Sequence, residues 1–348
     1  MRERDNMLAA VLYGPFDLRL EEVKIPKVGK DEVLIRVKAV GVCKSDIHYY
    51  ETGRCGSFVI KEPLILGHEC SGEVVEVGEN VNNVKVGDRV AIEPGFPCRT
   101  CNYCKEGRYN LCQKIRFYGT PPINGCFAEY VVADADFVYK LPDSISFEEG
   151  ALLEPLSVGI HAVRRGRIKP GDKVAVLGAG PIGLVTLQVA KAFGASLLIS
   201  TDKVDYLLEA AEELGADVTI NVNKEDVVRR VLEVTGEGVD TVVEASGSPE
   251  ALGQAMEIVK RGGTIVQVGI FPEPEFPVKM VYLVDKEIDL RGSFRYVNTY
   301  PLAMELVKEG KVKLKPLVTH VLPLTEIKRG FEIARKKLNK VIKVVIRP

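Results

Sequence analysis

No apolar run in the sequence approaches the roughly 18 residues that a membrane-spanning helix needs. The opening residues, Met1-Arg-Glu-Arg-Asp-Asn, carry charges of both signs and lead into no apolar stretch of secretory-signal type. A cytoplasmic protein is expected. Lys and Arg number 47 against 48 Asp and Glu, a net charge of −1. No basic tract interleaves with aromatics, so a nucleic-acid partner finds no electrostatic footprint. Internal repeats and low-complexity linkers are missing as well. Glutamine is scarce and charge plentiful, a thermophilic leaning that carries little weight for one chain.

What is present begins with length. A chain of 348 residues exceeds what one hydrophobic core usually organises, so two domains are expected. From Asp172 onward, short runs rich in Val and Ile alternate with helical periodicity, as a parallel sheet with crossover helices requires. Six strands are expected at 173–178, 196–201, 217–222, 239–245, 263–269 and 287–292, and four helices at 182–193, 204–214, 224–235 and 249–261. Gly194, Gly215, Gly236 and Gly262 stand where C-caps belong. Six strands make a complete doubly wound dinucleotide fold. Before Glu154 the texture is β-like, with runs at 32–40 and 72–77, and a domain boundary is expected in a helix-bearing connection around 153–169. The last segment shows one helix-like stretch at 301–309 and a strand-like end at 341–346.

Three constellations carry chemistry. The first, Gly178-Ala-Gly180-Pro-Ile-Gly183, follows a predicted strand and opens a predicted helix, where glycines let the backbone approach a pyrophosphate and the helix N-terminus offers free N–H groups. Asp202, at the end of the next strand, is placed to accept from the adenosine ribose hydroxyls and to repel a 2′-phosphate, favouring NAD over NADP; Lys203 blunts that preference without reversing it. A bland glycine turn, with Asp202 as a helix cap, is the alternative.

The second is Cys98-x-x-Cys101-x-x-Cys104 followed by Cys112. Four thiolates at short spacing surround one Zn²⁺ and leave no open position, which makes the site structural. An iron–sulfur cluster or free thiols are the alternatives. The third is dispersed over Cys43, Ser45 and His48, then His68 and Glu69, then Glu154. Each has an ordinary structural reading, and spacing does not show that they meet. A dehydrogenase nevertheless needs its substrate hydroxyl deprotonated near neutral pH, and zinc held by Cys43, His68 and a carboxylate, with one position open, would do it.

Gly67-His68-Glu69-x-x-Gly72-x-Val74-x-x-Val77-Gly78, Gly87-Asp88-Arg89-Val90 and the glycine fingerprint resemble the zinc-containing medium-chain dehydrogenase family over nearly the whole chain. Ala91-Ile92-Glu93-Pro94-Gly95, Gly107-Arg108-Tyr109-Asn110-Leu111, Glu154-Pro155-Leu156-Ser157-Val158-Gly159-Ile160-His161 and Phe294-Arg295-Tyr296 are similar to its sorbitol (polyol) dehydrogenase branch. The resemblance implies an α/β protein: a GroES-like β-rich catalytic domain, residues 1–153 completed by 295–348, and a Rossmann NAD-binding domain, residues 154–294. It implies one structural zinc and one catalytic zinc per subunit, the latter on Cys43, His68 and Glu69 with Glu154 beside it and able to exchange with Glu69. Ser45 and His48 would begin a proton path, and Tyr49, Arg295 and Tyr296 would reach substrate hydroxyls. Gly178, Gly180, Pro181, Ile182, Gly183, Asp202, Lys203, Val268, Gly269, Ile270 and Phe294 would line the cofactor.

The implied activity is hydride transfer from a secondary alcohol of a sorbitol- or xylitol-like polyol to NAD, giving a ketose, in a homo-oligomer with a tetramer favoured over a dimer. L-threonine 3-dehydrogenase, or another secondary-alcohol or diol dehydrogenase, is the alternative enzyme. A catalytically silent protein that binds NAD and zinc is the non-enzyme alternative. Two features depart from some relatives: all four lobe cysteines are kept, and Leu207 stands where an arginine can lie near the ribose.

Overall fold

The computed structural model describes residues 5–271, 273 and 275–348. They pack as two compact units, one running up to Glu154 with Tyr300–Met304 and Leu314–Pro348, the other comprising Pro155–Thr299 and Glu305–Lys313. The chain passes from one to the other inside the helix Leu153–Gly166. The C-terminal return is therefore divided more finely than a single span of 295–348: residues 295–299 and 305–313 pack with the second unit.

The first unit is built on the strand Glu32–Gly41, whose apolar residues are nearly all buried because strands cover it on several sides. It pairs antiparallel with Glu69–Val77, with Tyr130–Asp134 and with Lys343–Arg347. In register, Gly41 lies opposite Glu69 on one side and opposite Val345 on the other. That crossing brings Glu69 close to Cys43, which follows Gly41 by two residues. The strand Val318–Pro323 and the helix Ile327–Lys336 were not expected from the sequence. An interior glycine lowers intrinsic helix preference by about 1 kcal/mol relative to alanine. In the fold Gly330 is what lets the helix lie against the last strand, because a Cβ there would stand 3.0 Å from the Ile346 side chain.

The second unit is a six-stranded parallel sheet in the order Val218–Asn221, Leu197–Asp202, Lys173–Leu177, Val239–Glu244, Val259–Gln267, Asp289–Gly292. This is the doubly wound order, with the direction of strand succession reversing beside Lys173–Leu177, where ligands collect at the carboxyl ends of strands. The expected helices are observed at Pro181–Ala192, Asp205–Glu213, Val227–Thr235 and Pro249–Ile258. The last was expected to continue to Arg261 with Gly262 as its cap. Instead it stops at Ile258 and the next strand starts at Val259, with Gly262 at φ +70° inside an irregular stretch of that strand. The Lys286 ammonium ends the helix by donating to the carbonyls of Met256, Glu257 and Val259, a long-range contact that local pattern does not reveal.

Candidate functional site

The dispersed donors meet at the end of the strand Glu32–Gly41. Cys43 is the N-cap of the helix Lys44–Thr52, and Asp46, three residues on, accepts from the Cys43 amide at 2.9 Å. The other oxygen of this fully buried carboxylate accepts from Gly67 N at 3.2 Å and lies 3.7 Å from His68 Nδ1. One side chain thus fastens together the two turns that carry Cys43 and His68 and orients the imidazole, the arrangement expected of an outer partner of metal ligands. Asp46 was missed by the sequence reading; its signal is an acid at the third helical position after a candidate ligand. Gly67 takes φ +93°, and a Cβ there would meet the Phe127 ring at 2.9 Å, so the turn that presents His68 requires glycine.

Cys43 Sγ, a His68 ring nitrogen and a Glu69 oxygen lie within 4.8 Å of one another. Sulfur, imidazole and carboxylate in a buried pocket form the three-donor set that suits zinc with an open position. Glu154 is buried in the first turn of the helix Leu153–Gly166 but is not part of that cluster; its charge is felt at His68 and at Lys343. Burial works against a charged His68, yet Asp46, Cys43 and Glu154 together carry its pKa well upward. Burial raises Asp46. Cys55 feels the charges of Cys43 and Asp46, but burial is the main cause that pushes its thiol up to about 12. Lys343, also missed from sequence, donates to both Glu69 oxygens at 2.7 and 2.9 Å.

Ser45 and His48 lie on the helix that follows Cys43, three residues apart and so on one face. His48 is half-buried, and burial together with Lys44 lowers it below its usual 6.5. Tyr49 is buried in the core of the first unit. In the second unit, Tyr296 is buried, while the Arg295 guanidinium lies 4.8 Å from the ring centre of the exposed Phe294.

The four lobe cysteines come together by themselves. Their sulfurs lie within 4.8 Å of one another, with Cys101 to Cys104 at 3.4 Å and Cys98 to Cys104 at 4.0 Å. A tetrahedron of sulfurs about 2.3 Å from zinc has edges of about 3.8 Å, so the set fits the ion. Hydrogen bonds led by the Thr100 hydroxyl lower Cys98 to about 5. The lobe is tied down by Arg99, which pairs with Asp134 and Asp136, and by Tyr109, whose hydroxyl donates to the buried Glu93 at 2.7 Å.

In the second unit each fingerprint glycine has its own reason. Gly178 takes φ +102° and faces Ser246 closely; a Cβ on Gly183 would overlap the Gly178 carbonyl; Gly180, the N-cap of Pro181–Ala192, has open space where its Cβ would be. That opening over a helix N-terminus is where a pyrophosphate can approach. Pro181 and Ile182 form the first turn of that helix. Asp202 accepts from Ala179 N at 2.9 Å and from Val204 N at 3.1 Å, so its carboxylate is pinned to the glycine loop. Lys203 is exposed, and Leu207 is a buried core residue of the helix Asp205–Glu213. Beyond the ends of two strands, Gly247 and Gly269 interlock so tightly that neither admits a Cβ, which sets the course of Val268, Gly269 and Ile270. Buried Glu244 organises these loops by accepting from Ser246, Gly247 and Gln267.

Residues 29–143 match the family model of the alcohol dehydrogenase GroES-like domain, and residues 181–309 that of zinc-binding dehydrogenase. Sorbitol dehydrogenase of Bacillus subtilis (strain 168) is 45% identical over 99% of this chain and 98% of its own. Sorbitol dehydrogenase of Rattus norvegicus is 47% identical over 98% and 95%. The crystal structure of 2R,3R-butanediol dehydrogenase from Bacillus subtilis superposes with a TM-score of 0.90 at 38% identity, covering 98% of this chain and 99% of that one. The chain belongs to the zinc-dependent medium-chain dehydrogenase family and is sorbitol dehydrogenase-like within it.

Proposed function

We propose that the protein oxidises a secondary alcohol of a sorbitol- or xylitol-like polyol to the ketone with NAD as hydride acceptor. The buried cluster of Cys43, His68 and Glu69 carries this reading; its relatives at 45% and 47% identity support the substrate class. In this reading these three residues hold the catalytic zinc, with Glu154 beside them to hold water and relay a proton, and Cys98, Cys101, Cys104 and Cys112 hold a structural zinc. When bound, the catalytic ion supplies Lewis acidity that makes a substrate hydroxyl easier to deprotonate. Ser45 accepts the hydrogen bond of the substrate hydroxyl and gives up its own proton as it receives that one, passing it towards His48, whose imidazole burial and Lys44 shift below its usual 6.5. Tyr49, Arg295 and Tyr296 pair with further hydroxyls, the kind of contact by which a polar pocket discriminates. On the cofactor side, Gly178, Gly180, Pro181, Ile182 and Gly183 receive the pyrophosphate, Asp202 with Lys203 the ribose, and Val268, Gly269, Ile270 and Phe294 the nicotinamide half.

We infer further a cytoplasmic homo-oligomer, a tetramer before a dimer, on the family resemblance. A vicinal diol is the second substrate reading, supported by the butanediol dehydrogenase structure at 38% identity. NADH formation by the zinc-loaded protein on sorbitol, xylitol, 2,3-butanediol, L-threonine and ethanol, with Cys43→Ala as control, separates these. Turnover of the sugar alcohols that vanishes in the control is expected. Turnover confined to butanediol or threonine would replace the substrate assignment.

A further inference from the structure

We propose that Lys343 is a positioning residue for the catalytic metal, its ammonium holding the Glu69 carboxylate and the turn that carries Cys43 in the arrangement that binds zinc. The proposal rests on the reading that Cys43, His68 and Glu69 are the zinc donors. Lys343 is 3% exposed and Glu69 1%, and a lysine so deeply buried is rare unless paired. An ammonium has three protons to donate, and here all three acceptors are found: Glu69 Oε1 at 2.7 Å, Oε2 at 2.9 Å and the Val42 carbonyl at 3.2 Å. Val42 immediately precedes Cys43, so one group touches both donor segments. A carboxylate offers about four lone-pair sites over its two oxygens. Gripping both oxygens fixes its plane and still leaves sites for an ion.

The backbone is arranged for this contact. Gly41 sits between the two strands, opposite Glu69 on one side and Val345 on the other. A Cβ on residue 41 would overlap the Glu69 carboxylate. The glutamate therefore lies across the central strand towards Lys343 through a gap that only glycine leaves open. A lysine serving solely as counter-charge has no need of the Val42 carbonyl or of this gap.

The two roles make opposite predictions. Removing a mere counter-charge leaves the donor set more anionic and should tighten a divalent cation. Removing a positioning partner should loosen it by about 10- to 100-fold, as for other groups that orient metal ligands. Zinc transfer to a chromophoric chelator is to be followed in the full-length protein with both sites filled, the four-thiolate zinc serving as internal reference for folding. Lys343→Met is expected to release the catalytic zinc more readily by that factor with the reference zinc unchanged, and cobalt placed in the site should show an altered thiolate charge-transfer band. Lys343→Arg keeps the charge and changes the reach, so an intermediate loss is expected; it also stands in if the methionine variant does not fold. In a Glu69→Gln background, Lys343→Met should add little.

Unchanged or tighter zinc in Lys343→Met, wild-type retention in Lys343→Arg, or a full additional loss on Glu69→Gln would each overturn the positioning role while leaving the metal site standing. A wild-type chain that binds a single zinc, insensitive to Cys43→Ala, would overturn the metal-site reading and this proposal together.

Discussion

Cys98, Cys101, Cys104 and Cys112 come from one short stretch, the first three of them half-buried, whereas Cys43 and the adjacent pair His68-Glu69 come from two distant segments and meet with His68 and Glu69 buried. The first cluster needs little beyond its own loop, since a closed set of thiolates can organise a segment lacking a core. The second needs an outer ring already in place: Asp46 joining two turns, Gly41 leaving a gap, Lys343 arriving from the last strand. Local assembly would give a brace whose persistence depends on the ion it holds. Long-range assembly gives a site whose geometry is tied to the folding of the whole unit.

Deleting a donor should separate the two most strongly. Lewis acidity lowers a barrier by several kcal/mol, so Cys43→Ala or His68→Ala should cost roughly 10³-fold or more in kcat. Zinc content should fall from two to one per chain, the survivor being the lobe ion. A loss of both ions would break the comparison by making the lobe dependent on the buried site. Cys104→Ser should do the reverse, releasing the lobe zinc and lowering Tm by several degrees, of the order set by losing one or two kcal/mol in a domain of this size. Its kcat per folded chain should stay within about twofold, and a collapse of kcat under calorimetrically intact conditions would show that the lobe is not merely a brace.

Glu93 links the lobe to the sheet and titrates in an informative direction. Burial raises it from 4.5 to about 7 against the hydrogen bonds of Tyr109 and Tyr139. A carboxyl raised in the folded state contributes stability that is fully present below its unfolded pKa and is lost as pH rises through the folded value. Stability measured by denaturant should therefore decline between about pH 4.5 and 7 on account of this group. Glu93→Gln should flatten that slope, and an unchanged slope would sink the assignment. The smallest effect is expected at His48. Burial and Lys44 shift its imidazole below the usual 6.5, so His48→Gln, which removes one step of a relay and no donor of the metal, should lower kcat by less than about tenfold, below the usual range of general acid–base contributions, and remove an inflection below pH 6.5 in the rate profile.

The difference between the clusters also explains what could be read from residues alone. Four cysteines at close spacing announce a tetrahedron, and a glycine fingerprint between strand and helix announces a phosphate-binding turn, because in both cases the partners are neighbours in sequence. Strand succession in the second unit was legible for the same reason, its apolar runs alternating with amphipathic helices. The end of the helix Pro249–Ile258 was not, because a lysine 28 residues beyond Ile258 caps it. The helix Ile327–Lys336 was hidden by Gly330, whose value lies in contact with a strand formed later in the chain.

By itself the sequence determined the doubly wound half, the glycine turn at the head of Pro181–Ala192 and the gathering of four cysteines, since each is specified by short-range period, glycine geometry or close spacing. Only the tertiary structure decided that Glu69, and not Glu154, stands in one cluster with Cys43 and His68, and that Asp46 and Lys343 surround them. The physical reason is strand register: hydrogen bonding of Gly41 between Glu69 and Val345 brings together groups that nothing along the chain connects.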